Sequence, residues 1–306
     1  MSSVTMPAVA QQPVSRTRRL IGRASRSWRE STPGERVFLV FAYLVATFWA
    51  IVSLFPIYWM ITTAVKPPTN VMSLPPEWIP TSASLNNFRE AFANNPVWRW
   101  TLNSLIMAGA VTAFQLVFAT MAGYGFAKKS FPGRELLFWL YVSSMMIPPF
   151  ALVIPLFSLM ADYGLVDTYW GLIAPGLSAP FGVFLMRQFI QTLPTELMDA
   201  AKIDGCGELR VFWDIVLPLA KPGLAVLGIF VFMGQWSAFL WPLIITNSND
   251  MRTLQVGFAL LANRELRVNF GALMAAATYM ALPMLVVFFA FQRYFLRGIT
   301  IGGLKG

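Results

Sequence analysis

Six segments of this chain contain no charged residue, and each is long enough to cross a membrane as an α-helix. A helix rises about 1.5 Å per residue, so about 20 residues cover the roughly 30 Å of hydrocarbon in a bilayer. The uncharged segments are 37–65, 100–127, 136–161, 168–186, 222–249 and 268–292. Only 12% of all residues are charged, against about a quarter in a soluble domain. The sequence therefore predicts an all-α membrane protein with six transmembrane helices within 37–296, between a basic tail, 1–36, and a short tail, 297–306.

The distribution of Lys and Arg predicts which ends of the six segments face the cytoplasm. If the N-terminus lies inside, 17 of the 23 Lys and Arg residues fall on the inner side. Basic residues accumulate in cytoplasmic loops, so we expect a multi-pass protein of the plasma or inner membrane with both termini and the loop 187–221 in the cytoplasm. The net charge of +9 is then explained by topology, and we expect no nucleic-acid partner. The basic tail is expected either to lie on anionic lipid headgroups or only to fix the topology.

Several kinds of chemistry are absent from the sequence. There is no histidine and only one cysteine, so the commonest general base and metal ligand is missing. No G-x-x-x-x-G-K-[ST] motif for ATP binding occurs, and no Asp, Glu, Lys or Arg lies within the six segments to bind a transported proton or sodium ion at depth. We therefore expect no enzyme, no metal site, no cofactor bound by this chain, and an energy source outside it.

The longest polar interruption in the second half of the chain, 196–218, predicts a pair of short helices. In the first, Leu197, Ala200 and Ala201 have the i, i+3, i+4 spacing of one helix face. Gly205 is expected to end this helix, because glycine readily takes a positive φ angle. Since Ala200 and Ala201 are small, another surface can approach the backbone closely. The pattern is that of a docking knob on a membrane protein.

The second helix of the pair is predicted from apolar residues at i, i+3, i+4 and i+7. These residues are Leu209, Phe212, Trp213 and Val216. Pro218 is expected to stop the helix, since proline has no N–H to donate and its ring clashes with the preceding turn.

The same loop resembles the EAA loop of ABC importer permeases, whose pattern is E-A-A, three residues, Gly, nine residues and then I-x-L-P. The matching residues are Asp199, Ala200, Ala201, Gly205, Ile215, Leu217 and Pro218. Asp199 is the one departure, because Glu is usual at that place. In that family the loop docks in a groove on a separate ATPase subunit. The resemblance therefore implies that these residues, with Glu196 and Asp204, couple this chain to an ATPase.

The resemblance extends from about residue 38 to the end and is to the carbohydrate-uptake branch, of the maltose-transporter type. It is carried by Asn103-Ser104-Leu105, 124–127, 131–134, the string WSAFLWP from Trp236 to Pro242, and the ending 302–306. It implies a type I ABC importer permease fold and ATP-driven import of a sugar or sugar-like solute. The implied partners are a second homologous permease, two ATP-binding subunits that hold ATP and Mg²⁺, an extracytoplasmic solute-binding protein and the lipid bilayer. Which sugar or glycerol-phosphate compound is imported stays open, and a stand-alone facilitator or channel for small polar solutes is the alternative.

Uncharged polar and aromatic side chains within the spans are candidates for contact with the solute. They are Asn103, Trp236, Ser237 and Trp241. Rings and neutral hydrogen-bonding groups suit a polyhydroxylated solute. Trp is also common at membrane interfaces, and Asn and Ser also link helices, so a structural role is the alternative. Trp236 and Ser237 are expected in the middle of the fifth helix.

Two outer loops, 66–99 and 250–267, each contain a short amphipathic pattern. Leu85, Phe88 and Phe92 carry it in the first loop, and Leu254, Phe258 and Leu261 carry it in the second. We expect two short helices that either pack on the bundle or contact an external partner.

Overall fold

The computed structural model describes residues 32–93, 95–264 and 269–302, and all regular structure in these ranges is helical. The helices of the six spans, in chain order, are Pro33–Ala64; Val97–Lys128; Arg134–Ser143 and Pro149–Asp162; Tyr169–Ile173 and Pro180–Gln191; Lys221–Trp236 and Leu240–Ile245; and Phe270–Gly302. Shorter helices are Asn86–Phe92, Glu196–Ile203, Glu208–Val211, Leu217–Leu219 and Leu254–Arg264, with 3₁₀ turns at Pro68–Asn70, Ser144–Met146 and Ala174–Gly176 and a π-helix at Phe212–Val216. Nearly all of the predicted basic tail lies outside the described residues.

The chain forms two units, one ending at Trp59 and the other beginning at Met60. Most of the first span belongs to the first unit. Its helix begins with a capping box, in which the Thr32 N–H donates to the Glu35 carboxylate at 2.9 Å and the Glu35 N–H donates to Thr32 Oγ1 at 3.3 Å. These bonds satisfy two N–H groups that have no partner within the helix. The second unit contains the other five spans.

By length and composition, three of the described helices can each cross a membrane, and up to six spans result if each bent pair counts as one. One such pair joins Glu208–Leu219 to Lys221–Trp236 at 78°. We place the fifth span at 221–245 instead, because the helix before it carries three charged residues that are costly in hydrocarbon. The sixth-span helix continues to Gly302, so the first part of the predicted C-terminal tail is helical.

The third and fourth spans are each broken near the middle. The two helices of the third span meet at 99°, and those of the fourth span meet at 44°. Pro148 and Pro149 follow the first break, and Pro180 begins the second helix of the fourth span. Because proline donates no backbone hydrogen bond, the helical ladder ends before each of them.

The fifth span is also interrupted, and the prediction that Trp236 and Ser237 lie in mid-helix is wrong. Its first helix ends at Trp236, and a second begins at Leu240. The Ser237 hydroxyl donates to the Met233 carbonyl at 2.6 Å, and Pro242 has no N–H to continue the ladder. Both effects favour a helix end at this point.

The second span is an uninterrupted helix on which the fourth and fifth spans pack. At Gly123 an added Cβ would lie 2.8 Å from the Cβ of Met186, so glycine allows the second and fourth spans to approach this closely. Near the outer end, Trp100 is 2% exposed and lies against the backbone of Gly257. Small residues at helix contacts serve the same purpose in membrane proteins generally.

The two short outer helices pack on the bundle, although Leu85 of the first apolar pattern is 72% exposed. The ring of Phe92 lies 6.1 Å from that of Phe258 and 5.1 Å from that of Tyr279 in the sixth span. Leu254 and Phe258 are buried. The buried Asn87 amide donates to carbonyls of 64 and 66 at 3.0 and 2.7 Å, which fixes the first outer helix to the start of its loop.

Candidate functional site

The inner loop between the fourth and fifth spans contains the predicted pair of helices. The first, Glu196–Ile203, ends in a left-handed turn at Gly205, where φ is +79°. The Gly205 N–H donates to the Lys202 carbonyl at 3.0 Å, and the Cys206 N–H donates to the Ala201 carbonyl at 2.9 Å. These two bonds form a Schellman motif, in which glycine is favoured at the left-handed position. The predicted helix-ending turn at Gly205 is thus confirmed.

The second helix differs from its prediction at the C-terminal end. Pro218 does not stop it, because helical residues continue to Leu219. A π-turn precedes the proline, and the Leu217 N–H donates to the Phe212 carbonyl five residues earlier. Because the turn contains one extra residue, Pro218 is aligned with a different carbonyl from the one that it would face in a regular α-helix. Single π-turns of this kind are frequent at functional sites.

The helix pair has an inner side packed on the bundle and an outer side that is exposed. Met198, Ala201 and Phe212 lie on the packed side and are nearly fully buried. Leu197 and Ala200 are exposed, so the predicted single face of 197, 200 and 201 is divided between the two sides. The reason is that tertiary contact selects Met198 rather than Leu197 for the bundle. The exposed side carries an unusual share of large apolar side chains: Leu197, Ile203, Leu209 and Trp213.

The other residues assigned to this loop follow the same division. Glu196, Asp199, Asp204 and Pro218 are exposed, whereas Ile215 and Leu217 are half-buried. The acidic residues of the first helix and its C-terminal end are therefore all exposed. It places the closing Ile215 and Leu217 against the bundle.

One carboxylate fixes the helix pair to the second span. Glu208 forms ion pairs with Lys129, at the inner end of that span, and with Lys202 of the first helix at 3.3 Å. The Tyr124 hydroxyl also donates to Glu208 at 3.3 Å, and the Lys129 ammonium lies over the Tyr124 ring. The hydrogen bond from Lys129 holds the pKa of the Glu208 carboxyl below its ordinary value of 4.5. Three segments thus meet at Glu208.

Two further basic residues hold the start of the loop. Lys128 donates to the Leu193 carbonyl at 2.6 Å and to Thr195 Oγ1 at 3.0 Å. Arg187, at the inner end of the fourth span, is buried and donates to both Glu135 oxygens at 2.8 Å. Charge-assisted bonds of this kind are among the stronger ones in proteins. The inner ends of the second, third and fourth spans are therefore cross-linked around the loop.

The four solute-contact candidates lie in different surroundings. Asn103 is fully buried; its amide donates to the carbonyls of Asp250 and 252 at 2.7 and 2.8 Å and accepts from Tyr169 at 2.7 Å. Trp236 is 1% exposed and donates to the Met280 carbonyl, while Trp241 donates to the Gly171 carbonyl. All three indole or amide groups therefore bond to backbone or side chains within the chain.

Ser237 differs from the other three candidates because it is exposed. It lines a groove of about 450 Å³ between the fifth and sixth spans, with Ile229, Phe230, Met233, Gly234, Met284 and Phe288. The groove is almost entirely apolar, and its one hydroxyl is already bonded to the Met233 carbonyl. Among the described residues, no cluster of three or more His, Cys, Asp or Glu side chains suits a metal ion.

Comparison with known proteins decides the family. Residues 115–301 match the family described as the inner membrane component of binding-protein-dependent transport systems. The chain belongs to this family. It is 39% identical over 262 residues to the arabinooligosaccharides transport system permease protein AraQ of Halalkalibacterium halodurans, covering 85% of this chain and 94% of that one. It is 33% identical over 268 residues to the sn-glycerol-3-phosphate transport system permease protein UgpE of Yersinia pestis, covering 85% and 95%.

A solved structure supports the fold independently. The permease matches a chain of a bacterial ABC transporter involved in the import of the acidic polysaccharide alginate, with a TM-score of 0.77 and 20% identity over 87% of this chain and 99% of that one. The predicted six-span, all-α ABC importer permease fold is thus confirmed. The protein is the membrane subunit of an importer and not an enzyme.

Sequence reasoning missed the residues that hold the loop of this permease in place. Glu208 and Lys129 were given no role in the loop, and Tyr124 was noted only as part of the string 124–127. A partial signal existed, because opposite charges at two loops on the same membrane side can pair. Nothing in their spacing indicates which Lys meets which Glu, since 79 residues separate Lys129 from Glu208.

Proposed function

We propose that this permease imports a sugar or sugar-like solute and that separate ATPase subunits drive it through the loop 196–218. The observation that carries the proposal is the two-sided helix pair. Its inner side is bonded to the second span through Glu208, and its outer side exposes Ile203, Leu209 and other apolar residues. An apolar patch with charged neighbours on a loop outside the bilayer suits a protein partner.

The proposed complex contains a second homologous permease, two ATP-binding subunits and an extracytoplasmic solute-binding protein. ATP and Mg²⁺ are held by the ATPases and no cofactor by this chain. The excess of Lys and Arg on one side supports cytoplasmic termini and a cytoplasmic loop 196–218. In this arrangement Glu196, Asp199, Ala200, Asp204 and Gly205 belong to the docking surface. Closure of the ATPases moves the helix pair as a rigid body, and the pair moves the spans.

The proposed substrate class rests on similar proteins and on the spans themselves. AraQ is named for arabinooligosaccharides, UgpE for sn-glycerol 3-phosphate and NgcG of Streptomyces coelicolor for diacetylchitobiose. All three names describe polyhydroxylated solutes. The predicted spans of this chain offer neutral hydroxyl and aromatic groups for such solutes, of which Ser237 is exposed in the groove. The other candidates are Asn103, Trp236 and Trp241. Because their polar groups bond within the chain, they would shape the wall of the solute path and not bind the solute directly.

The docking step is tested by placing a charge on the exposed apolar side. Ile203 is 87% exposed on the helix pair, and Ile79 is 74% exposed in the outer loop on the opposite side of the membrane. Ile203→Glu is expected to abolish co-purification of the ATPase subunits and solute uptake, whereas Ile79→Glu retains both. Undiminished co-purification of Ile203→Glu refutes the docking surface. Uptake by proteoliposomes that lack any ATPase indicates the stand-alone facilitator instead.

A further inference from the structure

The breaks in the third and fourth spans lie side by side at mid-depth. The third span breaks after Met146, between charged residues at 135 and 162, and the fourth breaks near Ser178, between charged residues at 167 and 187. A hydrogen bond of 2.6 Å joins Tyr141 Oη, just before the first break, to Ser178 Oγ, within the second. The Gln115 amide of the second span supports the fourth-span break by donating to the Gly176 carbonyl at 2.6 Å.

This hydroxyl pair is exposed where a membrane protein normally hides polar groups. Ser178 is exposed and Tyr141 is half-buried. Irregular backbone at membrane depth is tolerated where it lines a water-filled cavity or is buried in protein, but not where it faces lipid. The unwound segments on both sides of the pair are therefore expected to face either an aqueous path or another protein, and within this chain Ser178 is uncovered.

The pair also has unused hydrogen-bonding capacity. Two hydroxyl groups offer two donors and four lone pairs, and the bond between them uses one of each. Ser143, one turn from the third-span break, is different: its hydroxyl donates to the Leu140 carbonyl of its own helix at 2.8 Å. The Tyr141 side chain also brings an aromatic ring to the pair, and the face of such a ring suits the C–H groups of a sugar.

We propose that Tyr141 and Ser178 form a subsite that binds a hydroxyl group of the transported solute at the middle of the membrane. The ligand class is a neutral polyol or sugar, whose O–H groups can both donate to and accept from the pair. This inference rests on the proposed function, since it needs a solute path through this chain. It adds a site formed by the third and fourth spans to the candidates in the second and fifth.

The first experiment tests whether the pair faces water in the complete transporter. In a Cys206→Ser background, Ser178→Cys and Tyr141→Cys are treated with a membrane-impermeant cationic methanethiosulfonate during ATP turnover. Labelling of both is expected, whereas Ile154→Cys is expected to stay unlabelled, although Ile154 is 80% exposed on the third span. An active complex in which neither 178 nor 141 is labelled overturns the proposal; that result indicates a surface sealed by the second permease or by lipid. An inactive complex without bound ATPase subunits would instead count against the proposed function.

The second experiment tests recognition of a hydroxyl group. Uptake of arabinotriose, diacetylchitobiose and sn-glycerol 3-phosphate is measured for the wild type, and the transported solute is used for the variants. Tyr141→Phe and Ser178→Ala are each expected to lower the uptake rate about fivefold, the usual effect of one neutral hydrogen bond, while ATP hydrolysis persists. Ser143→Ala removes another exposed hydroxyl and is expected to change nothing. Equal uptake by all three variants overturns the proposal.

Discussion

Replacing Glu208 with Gln tests whether the loop drives the bundle through one carboxylate. The substitution keeps the size of the side chain and an acceptor for the Tyr124 hydroxyl, but it removes the charge that Lys129 and Lys202 share. Those two lysines belong to the second span and to the first helix of the loop. The variant therefore weakens the connection between loop and bundle without altering the exposed docking side.

The expected loss of binding energy is modest. The side chains of Lys129, Lys202 and Glu208 are 28%, 44% and 57% exposed, and exposed ion pairs contribute about 0.2–1 kcal/mol each. Loss of both pairs therefore costs about 1 kcal/mol, which is about a fivefold change in an equilibrium constant. We expect the number of solute molecules imported per ATP to fall by up to about fivefold, while ATP hydrolysis continues.

The assay is solute uptake and ATP hydrolysis measured together in proteoliposomes containing the complete transporter. Asp214→Asn is the matched control, because Asp214 pairs with Arg210 on the same helix and both are well exposed. That pair joins no two segments and should leave the ratio unchanged. If Glu208→Gln and Asp214→Asn give the same ratio as the wild type, Glu208 does not transmit the movement.

The same carboxylate predicts a pH dependence of stability. The pKa of Glu208 lies below 4.5 in the folded protein because Lys129 donates to it. A group with a lowered pKa stabilises the fold at pH values above 4.5, and this contribution is lost as the pH falls through the lowered pKa. The difference in melting temperature between the wild type and Glu208→Gln should therefore be largest near neutral pH and disappear in acid. A difference that is constant down to strongly acidic pH contradicts the ion-pair assignment.

Two further predictions concern the turn of the loop. Gly205→Pro should leave the protein inserted but abolish uptake, since proline cannot adopt φ of +79° or donate to the Lys202 carbonyl; Gly207→Ala, at φ of −70°, is the control, and retained uptake in Gly205→Pro contradicts the assigned turn. Cys206 should react with an impermeant maleimide in inside-out vesicles only, and labelling in right-side-out vesicles refutes the cytoplasmic placement of the loop.

Local features of the loop could be predicted because they depend on a few neighbouring residues. Gly205 ends its helix for a reason contained in its own backbone. By contrast, the sequence 196–203 offers two apolar stripes, and spacing alone does not reveal that Met198 rather than Leu197 faces the bundle. Only tertiary contact makes that choice.

Proline illustrates the same limit within the spans. Pro148 follows a 99° bend, whereas Pro283 lies inside an unbroken helix. The local cost of the missing N–H is the same in both, so the outcome depends on how neighbouring groups satisfy the freed carbonyl. The six spans followed from the absence of charge, whereas prolines in the third to sixth spans indicated possible kinks without showing which spans break. The proposed solute path lies at those breaks, and so sequence reasoning placed Ser237 in mid-helix and missed Tyr141 and Ser178.

The second span is bonded to the inner loop, to the fourth-span break and to the second outer loop. It is a single helix of 32 residues, about 48 Å long at the usual rise. Its inner end is bonded to the loop at Glu208, its middle to the fourth-span break through Gln115, and its outer end to the outer loop through Asn103. We expect a helix bonded at these three depths to carry a displacement of the loop to the break. The route depends on the middle connection.

Gln115→Leu tests that middle connection. Leucine nearly fills the space of the 3% exposed glutamine but cannot donate to the half-buried Gly176 carbonyl, and loss of one neutral hydrogen bond costs about 0.5–1.5 kcal/mol. We expect lower thermal stability and uptake reduced more than ATP hydrolysis, because the ATPases still bind the loop but the break no longer follows the second span. Thr112→Val, one turn away in the same helix, is the control, because it removes a buried polar group but no hydrogen bond to the fourth span. Uptake and ATP hydrolysis that decline in equal proportion would show that Gln115 only stabilises the fold.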